Sequence, residues 1–171
     1  MRRAGIVTAL SVLLLGASGS TAWAVTNFEN APSGAHYAKG ASEPVCVENE
    51  STNTVSCTGT EIAGVGNTNA TVVLDVDYSA SIVCRAPGND KVVDPHSTTG
   101  DDVTTEEAKP GRNGRLRVDS VSEQITTGDV AGDFTCPNSN WREEVTDIEI
   151  TGFTYSLTFA GFSEPAILIT G

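Results

Sequence analysis

From Asn69 to Cys84 the chain alternates with a period of two. Ala70, Val72, Leu74, Val76, Tyr78, Ala80, Ile82 and Cys84 are apolar; Asn69, Thr71, Asp75, Asp77, Ser79 and Ser81 stand between them, and only Val73 and Val83 break the pattern. Successive side chains of a strand point to opposite faces, so this pattern gives one buried face and one wet face. A helix would bring Asp75 beside Ser79 but scatter the apolar set around its circumference. A strand this long would span about 50 Å if straight, at roughly 3.3 Å per residue. A bend or bulge near Asp77–Ala80, or two strands with a tight turn between them, is therefore expected.

Other segments show the same preference. Val45-Cys46-Val47 and Val55-Ser56-Cys57 read as short strands around the polar turn Asn49-Glu50-Ser51-Thr52-Asn53. Leu116 and Val118 alternate with Arg115 and Arg117, whose charges are expected outward. Val121 to Thr127 continues the sheet, and Thr127-Gly128-Asp129 reads as a turn. Val145, Ile148 and Ile150 suggest one strand with an irregularity at Asp147. Phe153, Tyr155, Leu157 and Phe159 suggest a second, with turns at Gly152 and Gly161, and Ala166 to Thr170 an edge. No segment sustains a helical period. The expected class is all-β: a disulfide-stapled antiparallel β-sandwich of two sheets, immunoglobulin-like.

The first 24 residues have a different character. Arg2 and Arg3 precede an apolar run from Ile6 to Leu15, and Ala22-Trp23-Ala24 is a small-x-small site. This is the pattern of a secretory leader cut after Ala24. The run is far short of the roughly 20 residues that span a bilayer. Residues 25–44, polar and small, read as a flexible N-terminal arm with an edge strand near Phe28, and 45–171 as the sandwich domain. Loss of Arg2 and Arg3 takes the formal charge from −12 to −14. Such a surface disfavours nucleic acid and anionic membrane, and no membrane insertion is expected after cleavage.

Cys46, Cys57, Cys84 and Cys136 in an exported chain imply two disulfides, with three pairings open. Cys46 and Cys57 flank the polar turn and could staple it; Cys84 and Cys136 would then join across the core. Zinc is a poor alternative, because no Cys-x-x-Cys pair occurs and the only histidines are His36 and His96.

Arg85 to Gly114 reads as the longest irregular region, with turn chemistry at Ala86-Pro87-Gly88-Asn89-Asp90 and a short strand at Lys91-Val92-Val93. It gathers Asp90, Asp94, His96, Asp101, Asp102, Glu106 and Glu107. Calcium takes six to eight oxygens, but this spacing matches no calcium-loop pattern. Gly64-Val65-Gly66-Asn67 allows positive φ and reads as a tight bend. A phosphate loop is excluded there, since no Lys-Ser/Thr follows and the next element is a strand.

Cys57-Thr58-Gly59, Ala63-Gly64-Val65-Gly66-Asn67, Cys84 followed by Pro87-Gly88-Asn89, Asn113-Gly114-Arg115, and Cys136-Pro137-Asn138 with Trp141 together resemble a group of small exported actinobacterial proteins with four cysteines and a Cys-Pro-Asn-x-x-Trp motif. The resemblance covers roughly Val45 to Gly161. It implies that the cysteines are framework residues, favours the 46–57 and 84–136 pairing, and implies a secreted fate. It carries over no catalytic or binding residue.

No catalytic residue is assigned and no cofactor or metal is expected. A hydrolytic triad would need His36 or His96, and neither sits near a Gly-x-Ser-x-Gly nucleophile. A carboxylate pair for glycoside cleavage leaves no mark in sequence. Asp75 and Asp77 on the wet face, and Asn138, Asn140 and Trp141 in the loop after Cys136, form the candidate binding surface. Trp141 is expected to cover a disulfide or the end of the core; the alternative is an exposed ring that stacks on a sugar. The His36-Tyr37 pair could be a ligand contact, but a lone histidine in a mobile arm usually has no functional meaning. The expected role is a non-catalytic extracellular or cell-envelope module whose partner is a protein or glycan. A protease inhibitor presenting the loop from Cys136 to Asn140 comes second, though no P1 residue stands out, and a carbohydrate-binding module third.

Overall fold

The computed structural model describes residues 20–88, 91–131 and 135–171; the leader's apolar run, Asn89 and Asp90 lie outside them. Among the described residues twelve strands run in chain order, all pairing antiparallel. They are β1 (Thr21–Trp23), β2 (Val25–Thr26), β3 (His36–Tyr37), β4 (Val45–Asn49), β5 (Thr54–Cys57), β6 (Thr60–Ala63), β7 (Ala70–Arg85), β8 (Val92–Ala108), β9 (Leu116–Val118), β10 (Val121–Gln124), β11 (Arg142–Phe159) and β12 (Ile167–Thr170). A single turn of helix, α1 (Thr127–Val130), follows β10.

The fold is all-β, as expected, but the described strands form three hydrogen-bonded sheets rather than two. Their orders are β1-β4-β5-β10, β2-β12-β11-β7-β8 and β3-β6-β9. The five-stranded sheet is dominated by β7, β8 and β11, of 16, 17 and 18 residues. Its inner face supplies Leu74, Val76, Ile82, Tyr155, Leu157 and Phe159; Val55, Ile62, Leu116 and Val121 come from the two smaller sheets opposite. Ile125 and Val130, around α1, join the same cluster, and α1 packs against β8 and β11. The alternation seen in sequence is realised in full on β7: every even residue from Ala70 to Cys84 is buried and no odd one is. Each large side chain so buried contributes about 1.5–3 kcal/mol before entropy is counted.

Four expectations about the long strands are corrected. The bend does not fall in β7, which continues unbroken; its neighbour β11 absorbs the mismatch with register shifts between Val145 and Asp147 and between Ile150 and Gly152. The irregularity expected at Asp147 is thus one residue early, at Thr146, whose hydroxyl donates to the Ser81 carbonyl. The residues around Gly152 are not a turn: the second shift lies there, and β11 carries two apolar stretches through one strand. Within the region from Arg85 to Gly114, read as irregular, residues 92–108 instead form β8, paired with β7, while turns remain at residues 87–88 and 112–113.

Both disulfides follow the favoured pairing, Cys46–Cys57 and Cys84–Cys136. Cys46 and Cys57 are direct cross-strand partners on β4 and β5, with Cα atoms 4.0 Å apart. The second bond lies at the far end of the long sheet, where Cys84 is buried and Cys136 half-buried. The bend at Gly64 is forced by packing: its φ is +76°, and a Cβ there would sit 2.1 Å from the Gly34 carbonyl oxygen.

Residues 25–44, expected as a flexible arm, add strands to two sheets: β2 pairs with β12 and β3 with β6. Ala31 and Ala38 are buried, and Phe28, in a 3-10 turn rather than a strand, meets Tyr37 edge-on with ring centroids 5.2 Å apart. β1 lies within the segment read as the leader and pairs with β4. β12 is not an edge, since it sits between β2 and β11.

Candidate functional site

The register of the long sheet fixes which way its backbone groups point. The Asn69 carbonyl accepts from the Ala160 amide, on the β11 side of β7. Antiparallel partners alternate between bonded and non-bonded pairs. The odd residues of β7 therefore bond to β11, and the even ones bond to β8. On β8 the partners of those even residues are Asp94, His96, Thr98, Gly100, Asp102, Thr104, Glu106 and Ala108. It follows that Pro95, Ser97, Thr99, Asp101, Val103, Thr105 and Glu107 direct their backbone groups away from β7, at the rim of the sheet.

Two details agree with this assignment. Proline has no N–H to give a ladder, and Pro95 falls at a rim position. The Val103 amide, also at the rim, donates to its neighbour's Asp102 side chain at 2.9 Å. Among the described residues no strand pairs with this outer edge of β8. The seven rim residues are all exposed. The inner face of β8 is fastened to the opposite sheet by the Thr104 hydroxyl, which donates to Glu123 on β10.

The outer face of the same sheet carries carboxylates. Asp77 and Asp101 are direct cross-strand partners, and Asp75 lies two residues along β7 on the same face. Burial, then the charges of Asp77 and Asp101, push the Asp75 carboxyl above its ordinary value. Its Oδ1 is shielded from solvent and finds no hydrogen-bond partner among the described residues. Like charges placed opposite each other on a sheet destabilise it, so this face is held together against its own repulsion.

Asn138, Asn140 and Trp141 lie elsewhere. Trp141 immediately precedes Arg142, which pairs with Arg85, eight residues from Asp77 along β7 and so roughly 26 Å away at 3.3 Å per residue. The structure does not bring the five sequence-derived surface residues into one site. Trp141 is also not a core residue: it is half-buried and outside the apolar cluster. The reason is local. Asn138 closes a turn, accepting from the Asn140 amide through its side chain and from the Trp141 amide through its carbonyl. That turn leaves the indole at the rim of the sheet's far end.

The remaining sequence candidates have structural roles or are spread out. His36 is exposed, with Nδ1 2.7 Å from the Gly34 carbonyl, and the Tyr37 hydroxyl pairs with Thr26 at 2.7 Å. Asp94 to Glu107 are strung along a strand instead of gathered in a loop. Among the described residues no group of three or more His, Cys, Asp or Glu is placed to hold a metal ion.

A groove of about 810 Å³ has no counterpart among the sequence candidates. Its walls come from residues 39–43, Val45, 58–61 and 117–120, with Lys39 and Arg117 among Glu43, Glu61 and Asp119. Gly59 is one of the lining residues, and a Cβ there would lie 2.4 Å from the Val118 carbonyl oxygen, so a larger residue does not fit without a shift of the backbone. No single stretch of sequence carries this feature; three separate segments meet to make it.

Among the described residues no helix is long and apolar enough to cross a membrane. No protein-family model, curated protein or solved structure matches the chain.

Proposed function

We infer that this protein is a secreted, non-catalytic interaction module with an immunoglobulin-like sandwich, acting outside the cell or at its envelope on a protein or glycan partner. The observation that carries the reading is the acidic outer face and open rim of the β7–β8 pair, where Asp75, Asp77 and Asp101 are kept together at a cost to stability. Groups held in unfavourable surroundings are candidates for a functional surface. Two disulfides are compatible with an oxidising compartment, and the leader pattern and the resemblance to exported actinobacterial proteins support export.

Expression of the full chain in an actinobacterial host tests this directly. Intact mass of the protein in the medium should correspond to cleavage after Ala24, and the labelled protein should be retained by envelope or culture-fluid fractions. Retention should fall when Asp77 and Asp101 are both changed to Lys. Protein confined to the cytoplasm, or retention indifferent to those charges, would contradict the reading.

A second reading, protease inhibition, has one observation in its favour. The loop after Cys136 is exposed, tied by the Cys84–Cys136 bond and braced by the Asn138 turn. Residual trypsin and subtilisin activity after incubation decides it, and full activity dismisses it. Carbohydrate binding at the half-buried Trp141 is tested by pull-down on chitin, cellulose and cell wall.

A further inference from the structure

We propose that the outer rim of β8 from Ser97 to Glu107 takes up an extended, basic segment of a partner protein as a sixth strand of the long sheet. The inference rests on the interaction-module reading and specifies the partner's chemistry. Strand addition needs a rim with unpaired backbone groups, and the register directs those of Ser97, Thr99, Asp101, Thr105 and Glu107 there. Main-chain hydrogen bonds supply affinity in this mode, and side chains along the added strand supply selectivity.

The charge of β8 selects the occupant. Residues 92–108 contain five acids, Asp94, Asp101, Asp102, Glu106 and Glu107, and no lysine or arginine. A second copy pairing through the same edge would set acids against acids in a chain of net charge −12. Lysine or arginine on the outer face of an added strand would instead lie beside Asp101, whose neighbours are Asp77 and Asp75. The cation would relieve the repulsion among the three, so binding and the strain on this face are coupled.

Proline at 95 ends the open stretch on one side, and the Asp102 side chain occupies the Val103 amide within it. These are devices that keep a long edge from pairing indiscriminately. Between them no strand among the described residues covers Ser97, Thr99 and Asp101, and this is where the added segment should register.

The test is fluorescence anisotropy of a labelled twelve-residue peptide alternating Lys and Thr, with a Glu–Thr peptide as control, on the full-length mature protein. The Lys–Thr peptide should bind, the Glu–Thr peptide should not, and raising salt from about 50 to about 300 mM should weaken binding severalfold. Thr99→Pro removes a rim amide that makes no bond within the sheet, and its melting curve should match wild type. It should lower affinity at least about tenfold, and Asp101→Lys should do the same by charge. Amide exchange at Ser97 and Asp101 should slow on binding. Peptide binding unchanged in Thr99→Pro would mean attraction by charge alone and would overturn strand addition. A wild-type dimer in sedimentation that Thr99→Pro dissolves would assign the edge to a second copy and overturn the basic partner. Absence of peptide binding at millimolar concentration overturns strand addition, while envelope retention tests the module reading independently.

Discussion

β7 and β8 are hydrogen-bonded to each other along almost their whole length, yet they obey different rules. β7 lies between two strands and buries every second side chain; β8 lies at the rim and buries none completely. The apolar face of β7 is what the domain folds around. The polar rim of β8 is left over for other uses, and its acids are tolerated because water reaches them. Strand structure in β8 is imposed by its neighbour, whereas in β7 it is required by burial.

The largest contrast concerns side chains. Leu74→Ala should cost about 2–5 kcal/mol in denaturant unfolding, because Leu74 is fully buried. Val103→Ala, at 46% exposure on the strand next door, should stay within about 0.5 kcal/mol. Equal losses would abolish the distinction between the strands.

Cys84 gives β7 a further anchor that β8 lacks. Replacing Cys84 and Cys136 together by Ala should cost about 4 kcal/mol, against about 3 for the Cys46–Cys57 pair, since the first closes 52 residues and the second 11. Melting of both double variants under the same conditions checks the order.

Backbone direction sharpens the comparison within β8 alone. Thr98→Pro deletes an amide bonded to β7 and should lose about 1–3 kcal/mol, while Thr99→Pro should be nearly silent. The reverse order would shift the register by one residue.

The smallest effect is electrostatic. Asp75 has its carboxyl raised in the folded state by burial and by Asp77 and Asp101, so its ionisation opposes folding. Its contribution is present at low pH and is lost as pH rises through the folded-state value. Asp75→Asn should therefore stabilise by about 0.2–1 kcal/mol at neutral pH and by less in acid. Melting temperatures across pH 3 to roughly 7 would show the two curves diverging upward.

This contrast also explains what can be read in the sequence. β7 is legible because one buried face writes a period of two into its residues. In β8, Val-Val-Asp-Pro-His-Ser-Thr-Thr-Gly-Asp-Asp-Val-Thr-Thr-Glu-Glu-Ala carries no such period, since no face is fully buried. Its threonines and valines suit a strand, but Pro95 and Gly100 suggest a loop. β11 reads as two strands because Gly152 resembles a turn and because its bulges break the alternation. The size of Trp141 argues for the core, and nothing local in sequence shows that the Asn138 turn holds it at the rim. Of the candidate surface, Asp75 and Asp77 can be placed on one face, but their cross-strand neighbour Asp101 cannot, because long-range register leaves no local signature.

The central claim is that β8 is a strand with one edge bonded and the other open. Residue-resolved amide exchange on the free protein tests it most directly. Thr98, Asp102 and Thr104 should exchange slowly through their bonds to β7, and Ser97, Thr99, Asp101 and Thr105 should exchange fast. Uniformly fast exchange from Val92 to Ala108 would return the segment to a loop, and uniformly slow exchange would mean that the rim is already covered.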